Sequence, residues 1–161
     1  MARRDDIEQT LAAVRGPLER YLRRRMSATD ADEVLSETLR VIWTKADAIP
    51  QGAEIAWSIG VAKKIAANHH RSARRRENLA RKIAEASMVE TMPADTREVT
   101  EALEKLEPHD RDILRLWAWE GLEPSDIAVV EECTPNTAAA RLSRARKRLR
   151  RALEAGKPEN T

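Results

Sequence analysis

The chain has 161 residues, of which 42% are apolar, and its 29 Lys and Arg nearly balance its 27 Asp and Glu, leaving a net charge of +2. This length fits one or two small domains, and the longest apolar stretch, around residues 55–62, is too short to span a bilayer. The early arginines are followed by no apolar run and Cys133 is the single cysteine, so we expect a cytoplasmic protein with no secretory signal, disulfide, metal or cofactor.

Two helices are predicted in the N-terminal third of the chain, where apolar residues recur at helical rather than alternating spacing. The first pattern begins near Ile7 and is expected to break at Pro17 before it restarts, because proline disrupts a helix interior. The second is expected to begin with a cap from Thr29 or Asp30 and to end before Pro50.

A third long helix is predicted from about residue 55 to residue 76. Its apolar spacing puts Trp57, Val61 and Ile65 on the buried side. Together the three helices are expected to form an N-terminal domain over residues 1–85.

Residues 86–97 lack a clear period and contain Pro93, so they are expected to form a flexible linker. A C-terminal domain of four helices is predicted over residues 98–155, followed by a tail at residues 156–161. The predicted fold is therefore all-α: two small helical domains joined by a flexible linker, the C-terminal one a helix-turn-helix module.

The last two predicted helices meet at a tight turn within residues 120–149, EGLEPSDIAVVEECTPNTAAARLSRARKRL. After a break near Glu132, the final helix starts with Thr134 as its cap and Pro135 at its first position. Two helices joined by so short a turn cross steeply, which is typical of a DNA-reading helix-turn-helix.

The final helix is strongly basic: seven of the eleven residues at 141–151 are Lys or Arg, and none is acidic. An isolated basic helix can be only a solvated face, but this one directly follows a helix-turn-helix, which favours binding of a polyanion. Residues 71–82 carry six basic side chains against one acidic, whereas residues 85–112 carry nine acidic against three basic. This alternation indicates two DNA-contacting modules separated by a segment that avoids DNA.

Three motifs in order resemble the extracytoplasmic-function (ECF) sigma factors of bacterial RNA polymerase, members of the sigma-70 family. They are DADEVLSETLRVIW at residues 30–43, AWSIGVAKKIAANHHRSARRR at residues 56–76, and the helix-turn-helix at residues 120–149. The resemblance covers about residues 18–153 and implies a factor without catalytic residues of its own.

The first motif is similar to the helix that docks on the clamp helices of the polymerase large subunit in this family. By this resemblance the candidate polymerase-binding residues are Asp32, Glu33, Leu35, Glu37, Thr38 and Val41. Periodicity alone assigns Val34, Leu39 and Ile42 to the core.

The second motif is similar to the tryptophan-led basic helix that reads the melted minus 10 promoter strand. The implied contacts are Trp57, Lys63, Lys64, Asn68, Arg71, Arg74 and Arg75. Amides pair with base edges and cations hold phosphate, while Trp57 can stack a base or simply anchor the core. Lys64 departs from the family, which commonly has asparagine at that position.

The third motif is similar to the family's reader of minus 35 duplex. The implied contacts are Asn136, Thr137, Ala139, Ala140, Arg141, Ser143, Arg144 and Arg148. Arg141 and Arg144 are the strongest candidates for guanine or phosphate. Glu131 and Glu132 replace the family's usual Leu-Gly in the turn, and Ala139 replaces a usual Lys or Arg.

We therefore expect an ECF-type sigma factor that binds core RNA polymerase and directs promoter-specific initiation through minus 35 and minus 10 recognition. The resemblance also implies an anti-sigma protein as a partner. The alternative is a stand-alone helix-turn-helix regulator that binds operator DNA, although the chain has no obvious ligand or dimerisation domain. An enzyme is not expected, because the five glycines do not cluster and no His, Cys and carboxylate set has catalytic spacing.

Overall fold

The structure, a computed structural model, describes residues 2–73 and 94–158; side chains are described for residues 4–70 and 96–158. Seven α-helices and one short 3-10 turn make up the regular structure of these residues, which include no strand. The predicted all-α fold is therefore confirmed. None of the described helices combines the length and apolarity needed to cross a bilayer.

The N-terminal domain consists of α1 (Ala2–Arg23), α2 (Ala28–Thr44) and α3 (Glu54–Ala73), with a 3-10 turn at Ala46–Ala48 between the last two. Each of the three helices packs against the other two. The residues that fill the space between them are almost wholly buried: Val14, Leu18, Leu22, Val34, Ile42 and Ile59.

Helix α1 continues through Pro17, so the predicted break is wrong. Proline removes one backbone donor and crowds the preceding turn, which ordinarily costs about 3 kcal/mol or more. Val14 and Leu18, on either side of this point, are fully buried against the other helices. We attribute the unbroken helix to this packing, which a local propensity rule does not include.

Helix α2 begins one turn earlier than predicted. Ser27 is its cap, and the Ser27 hydroxyl accepts a hydrogen bond from the Asp30 amide at 3.2 Å. The predicted caps, Thr29 and Asp30, lie inside the first turn. Serine competes well with threonine and aspartate as a cap, so composition alone could not choose among the three.

The C-terminal domain consists of α4 (Ala94–Glu104), α5 (Pro108–Ala118), α6 (Pro124–Glu131) and α7 (Pro135–Ala155). Helix α4 begins inside the predicted linker, and the rest of that segment, residues 86–93, lies outside the described residues. The apolar core of the C-terminal domain is formed by the following buried side chains: Leu103, Ile113, Leu116, Ile127, Leu142 and Ala145.

The predicted start of the final helix is confirmed. Pro124 and Pro135 lie at the first turns of α6 and α7, and the Thr134 hydroxyl accepts a hydrogen bond from the Thr137 amide at 3.2 Å. Between the helices, Glu132 adopts a left-handed backbone conformation with φ of 53°. Glu132 is the C-cap of α6, and its backbone N–H donates a hydrogen bond to the Ala128 carbonyl, so the left-handed residue ends this helix.

Helix α3 is covered on two sides, by α1 and α2 of its own domain and by α6 of the other. Its most buried side chains are Ala56, Ser58, Ile59 and Ala62. The predicted Trp57 and Ile65 are only partly buried. Helical periodicity predicts one buried face, whereas α3 also contacts α6 of the other domain.

Candidate nucleic-acid interface

The N-terminal half of α7 presents its predicted minus 35 residues to solvent. Five of them are exposed: Asn136, Ala139, Ala140, Ser143 and Arg144. Thr137 and Arg141 are partly buried, and the Thr137 hydroxyl lies 2.8 Å from that of Thr134. Most of the predicted set thus occupies one accessible stretch of the second helix of the motif, the position from which such helices enter a major groove.

Arg148 lies farther along α7 and has a partner within the domain. Its Nη1 donates a hydrogen bond to Asp110 Oδ2 at 2.6 Å, which ties α7 to the first turn of α5. The Asp110 side chain is 8% exposed, whereas that of Arg148 is 52% exposed. Arg148 therefore supports the fold with one end of its guanidinium and remains half accessible.

Two tryptophans near the end of α5 carry arginines on their rings. Arg146 of α7 lies 4.7 Å from the centre of the Trp117 ring, and Arg115 lies 5.0 Å from that of Trp119. Burial lowers the pKa of Arg115, and the neighbouring Arg25 and Arg111 lower it further. A delocalised guanidinium tolerates such a site because the ring face attracts it.

In contrast, the two lysines of the predicted minus 10 helix contact carboxylates of the helix-turn-helix. Lys63 Nζ donates to Glu131 Oε1 at 2.5 Å, and Lys64 Nζ donates to Glu132 Oε1. All four residues were prominent in the sequence, but nothing in their spacing indicated that they would meet. The two glutamates that depart from the usual turn sequence are thus the partners of the lysine pair on α3.

The other predicted minus 10 residues are only partly described. Trp57 packs against the apolar core and is partly buried, which fits the anchor interpretation and leaves part of its ring accessible. Asn68 is exposed. The backbone of Arg71 is in α3 but its side chain is not described, and Arg74 and Arg75 lie outside the described residues.

A second set of contacts between the domains involves residues that the sequence analysis did not select. Arg24 Nη1 and Arg25 Nη1 donate to Glu120 Oε1 at 3.2 and 3.0 Å, and Arg24 also donates to the Trp119 carbonyl at 2.7 Å. The Glu120 side chain is 5% exposed. The arginine run at the end of α1 was the available signal, but periodicity gives no partner for it.

Beside these contacts, a cleft of about 210 Å³ lies between the domains and is lined by Tyr21, Arg25, Lys63 and Asp112, among others. Burial raises the pKa of Tyr21 to about 12, against the opposing effect of Arg25, whose guanidinium lies 3.9 Å from the ring centre. Ionisation of Tyr21 therefore reports on how closed this region is.

Three acidic members of the predicted polymerase surface, Asp32, Glu33 and Glu37, are exposed along α2. Leu35 and Thr38 are buried, and the Thr38 hydroxyl donates to the Val34 carbonyl at 2.7 Å. These two side chains face the core of this structure, and the docking role that the resemblance implies for them stays a prediction. Val41 is partly buried.

His69, near the end of α3, contacts acidic side chains at the beginning of α2. Its Nε2 lies 3.0 Å from Asp30 Oδ1 and 3.8 Å from Glu33 Oε2. The three side chains offer ligand atoms within 4.8 Å of one another. A structural zinc site needs four such ligands, so this set of three is better explained as a contact between helices.

Comparison with known families finds one match, in the C-terminal domain. Residues 96–149 match the family model of sigma-70, region 4. The match spans α4 to α7 and includes the whole helix-turn-helix. It confirms the resemblance to sigma-70 proteins and supports a non-enzymatic role. No curated protein matches the sequence significantly.

Solved structures extend the similarity of fold to both domains. CnrH in complex with the cytosolic domain of CnrY has a TM-score of 0.62 at 22% identity, covering 96% of this chain and 91% of that one. The sigma factor RpoE in complex with the anti-sigma factor NepR from Bartonella quintana has a TM-score of 0.54 at 21% identity, covering 96% and 98%. The PhyRSL–NepR complex from Sphingomonas sp. Fr1 has a TM-score of 0.61 at 20% identity, covering 95% and 92%.

Proposed function

We propose that this chain is an ECF-type sigma factor that binds core RNA polymerase in the cytoplasm and directs promoter-specific initiation. The observation that carries the proposal is the exposed stretch of α7, with Asn136 and Arg144 accessible, in a domain of sigma-70 region 4. Amides and guanidinium groups near the start of a recognition helix are the groups that read base edges in a major groove.

The remaining parts of the activity are divided between α2 and α3. The exposed carboxylates of Asp32, Glu33 and Glu37 supply an acidic surface for a basic site on the polymerase. Helix α3 supplies Lys63, Lys64 and the exposed Asn68 for the melted minus 10 strand. Cations that hold phosphate beside an amide that pairs with a base suit a single strand.

An anti-sigma protein is the third partner in this proposal. The structure of RpoE, which has a similar two-domain fold, is a complex with the anti-sigma factor NepR. We extend this type of partner to the present chain by similarity of fold. Such a protein would have to cover α2, α7 or both to block initiation.

Run-off transcription with purified core RNA polymerase on a promoter library tests the proposal directly. The transcript starts are sequenced with and without the protein. Protein-dependent starts that share motifs near minus 35 and minus 10 are the expected result. Tight binding to duplex DNA without polymerase, together with no stimulation of transcription, would instead favour the stand-alone regulator.

A further inference from the structure

Two consecutive lysines of α3 meet two consecutive glutamates at the end of α6. Lys63 is bonded to Glu131 and Lys64 to Glu132, and we call these four residues the interdomain latch. The first pair is sheltered, since the Glu131 side chain is 8% exposed, whereas both partners of the second pair are largely exposed. The latch thus joins one domain's cations to the other domain's carboxylates.

The backbone at Glu132 is a second observation at the same place. Among the described residues, Glu132 is the only non-glycine residue with positive φ. A side chain in this conformation costs about 1–2 kcal/mol, and glycine would avoid that cost. Glycine would also remove the carboxylate that holds Lys64. Strained backbone retained beside a specific ion pair is typical of a functional position.

The helices of the latch also approach each other closely. A Cβ atom added to Gly60 of α3 would lie 3.5 Å from Val130 Cα and 3.6 Å from the Val130 carbonyl oxygen on α6. These are ordinary contact distances. The backbones of α3 and α6 are therefore separated at Gly60 by about the space of one methyl group. This apolar contact brings the ion pairs into register.

We propose that the latch competes with the promoter single strand for the same two ammonium groups. This inference rests on the proposed function of α3. In the closed chain the carboxylates of Glu131 and Glu132 occupy Lys63 and Lys64, which then cannot also hold phosphates. The exposed residues of α7 remain accessible, so the closed chain binds minus 35 duplex while it withholds its minus 10 helix.

The test uses the full chain with both glutamates neutralised, Glu131→Gln with Glu132→Gln. The matched control is Glu98→Gln with Glu101→Gln, because these two residues of α4 are exposed and their neutralisation changes the net charge equally. Two quantities are measured for each protein: the affinity for a fluorescent single-stranded oligonucleotide, by anisotropy, and the radius of gyration, by X-ray scattering.

We expect the latch variant to bind the strand about tenfold more tightly and to have a larger radius of gyration, with less than about twofold change in the control. Equal gains in both variants would overturn the proposal, because the effect would then be one of net charge. The proposal is also overturned if the wild type binds the strand and the latch variant binds it no more tightly. If no protein binds any strand, the strand-binding role proposed for α3 fails and with it the competition, while the radius of gyration still decides whether the pairs close the chain.

A charge exchange at the exposed pair distinguishes the role of the pair in closing the chain from the role of Lys64 in binding the strand. Lys64→Glu alone puts a second carboxylate beside that of Glu132, and this repulsion, which is more than the loss of one pair, is expected to enlarge the radius of gyration. Lys64→Glu combined with Glu132→Lys is expected to restore the wild-type radius of gyration without restoring strand affinity. Both positions are largely exposed, so neither change endangers the core. Restored strand affinity in the double variant would contradict a phosphate-binding role for Lys64, and no restored closure would contradict the latch.

Discussion

Helices α3 and α7 are both basic helices with predicted DNA contacts, yet their cations have different surroundings. On α7, Arg144 is exposed and Arg148 remains half accessible. On α3, Lys63 and Lys64 are bonded to glutamates of the other domain. A basic sequence pattern therefore locates cations without telling whether they are free to meet a nucleic acid.

The difference follows from how the two helices pack. Helix α7 buries one stripe within its own domain and turns the rest to solvent. Helix α3 contacts its own domain on one side and α6 on another. Because α3 contacts both domains, its lysines lie within reach of carboxylates on α6.

The largest effect is expected from reversing the charge of the accessible arginines on α7. Arg141→Glu with Arg144→Glu should weaken binding of minus 35 duplex by about a hundredfold or more, since each lost base or phosphate contact is worth about 1–3 kcal/mol and is replaced by repulsion. Promoter-specific transcription should be lost, while polymerase binding, measured by co-elution, should persist.

The control for this variant is Arg15→Glu with Arg20→Glu, an equal charge change at exposed positions of α1. Its duplex affinity should fall far less. If the two variants lose affinity equally, or if the α7 variant also loses the polymerase while folded, the contrast between the helices is wrong.

Next in size is the effect of widening the contact between α3 and α6. Gly60→Leu should separate these helices and destabilise the closed chain by about 1–3 kcal/mol, because the new side chain has no space against Val130. Gly60→Ala is the control, since its Cβ fits and alanine favours a helix by about 1 kcal/mol. Thermal unfolding and the radius of gyration measure both. Similar behaviour of the two variants would mean that the helices do not touch in solution.

A smaller effect is expected from the arginine of α7 that supports the fold. Arg148→Ala removes the hydrogen bond to Asp110 and should lower the free energy of unfolding by about 1 kcal/mol, a modest value because Arg148 is half exposed. Arg144→Ala should leave stability unchanged and reduce only DNA binding. Urea unfolding measures the stability of both variants. Equal losses of stability would contradict a structural role for Arg148 that Arg144 does not share.

The smallest effect at neutral pH concerns Tyr21. Its folded pKa is raised from 10 to about 12, so the protonated form stabilises the fold fully below pH 10 and that contribution is lost as the pH rises toward 12. Tyr21 is the only tyrosine, so tyrosinate absorbance reports on it alone. The midpoint should lie near 12 in the folded chain, near 10 in denaturant, and lower in Gly60→Leu than in the wild type. A folded midpoint near 10 would contradict the burial of this ring.

Local sequence signals predicted the C-terminal domain well. Pro135 at the start of α7 and the Thr134 cap act through their own backbone or the next turn, and the structure has both as expected. Pro17 was misjudged because burial of its neighbours outweighs its local preference. Caps and turns are local chemistry, whereas the continuity of a helix also depends on what packs against it.

The candidate site was predictable in its residue types and less so in its contacts. Resemblance selected the α7 residues, most of which are exposed, and it also selected Leu35 and Thr38, which are buried. The Glu120 contacts and the latch join residues 68 to 96 positions apart. No spacing rule within one helix can reveal such pairs, although two unusual residue pairs of opposite charge were a usable signal.

The unequal exposure of the two latch pairs gives the interface a graded response to ionic strength. At about 0.1 M salt, charges in water are screened beyond about 10 Å, and exposed pairs weaken before sheltered ones. Lys64 and Glu132 should therefore separate first as salt rises, while Lys63 and Glu131 still hold the helices together. The chain would then pass through an intermediate with one lysine released, and the domains would part in two steps rather than one.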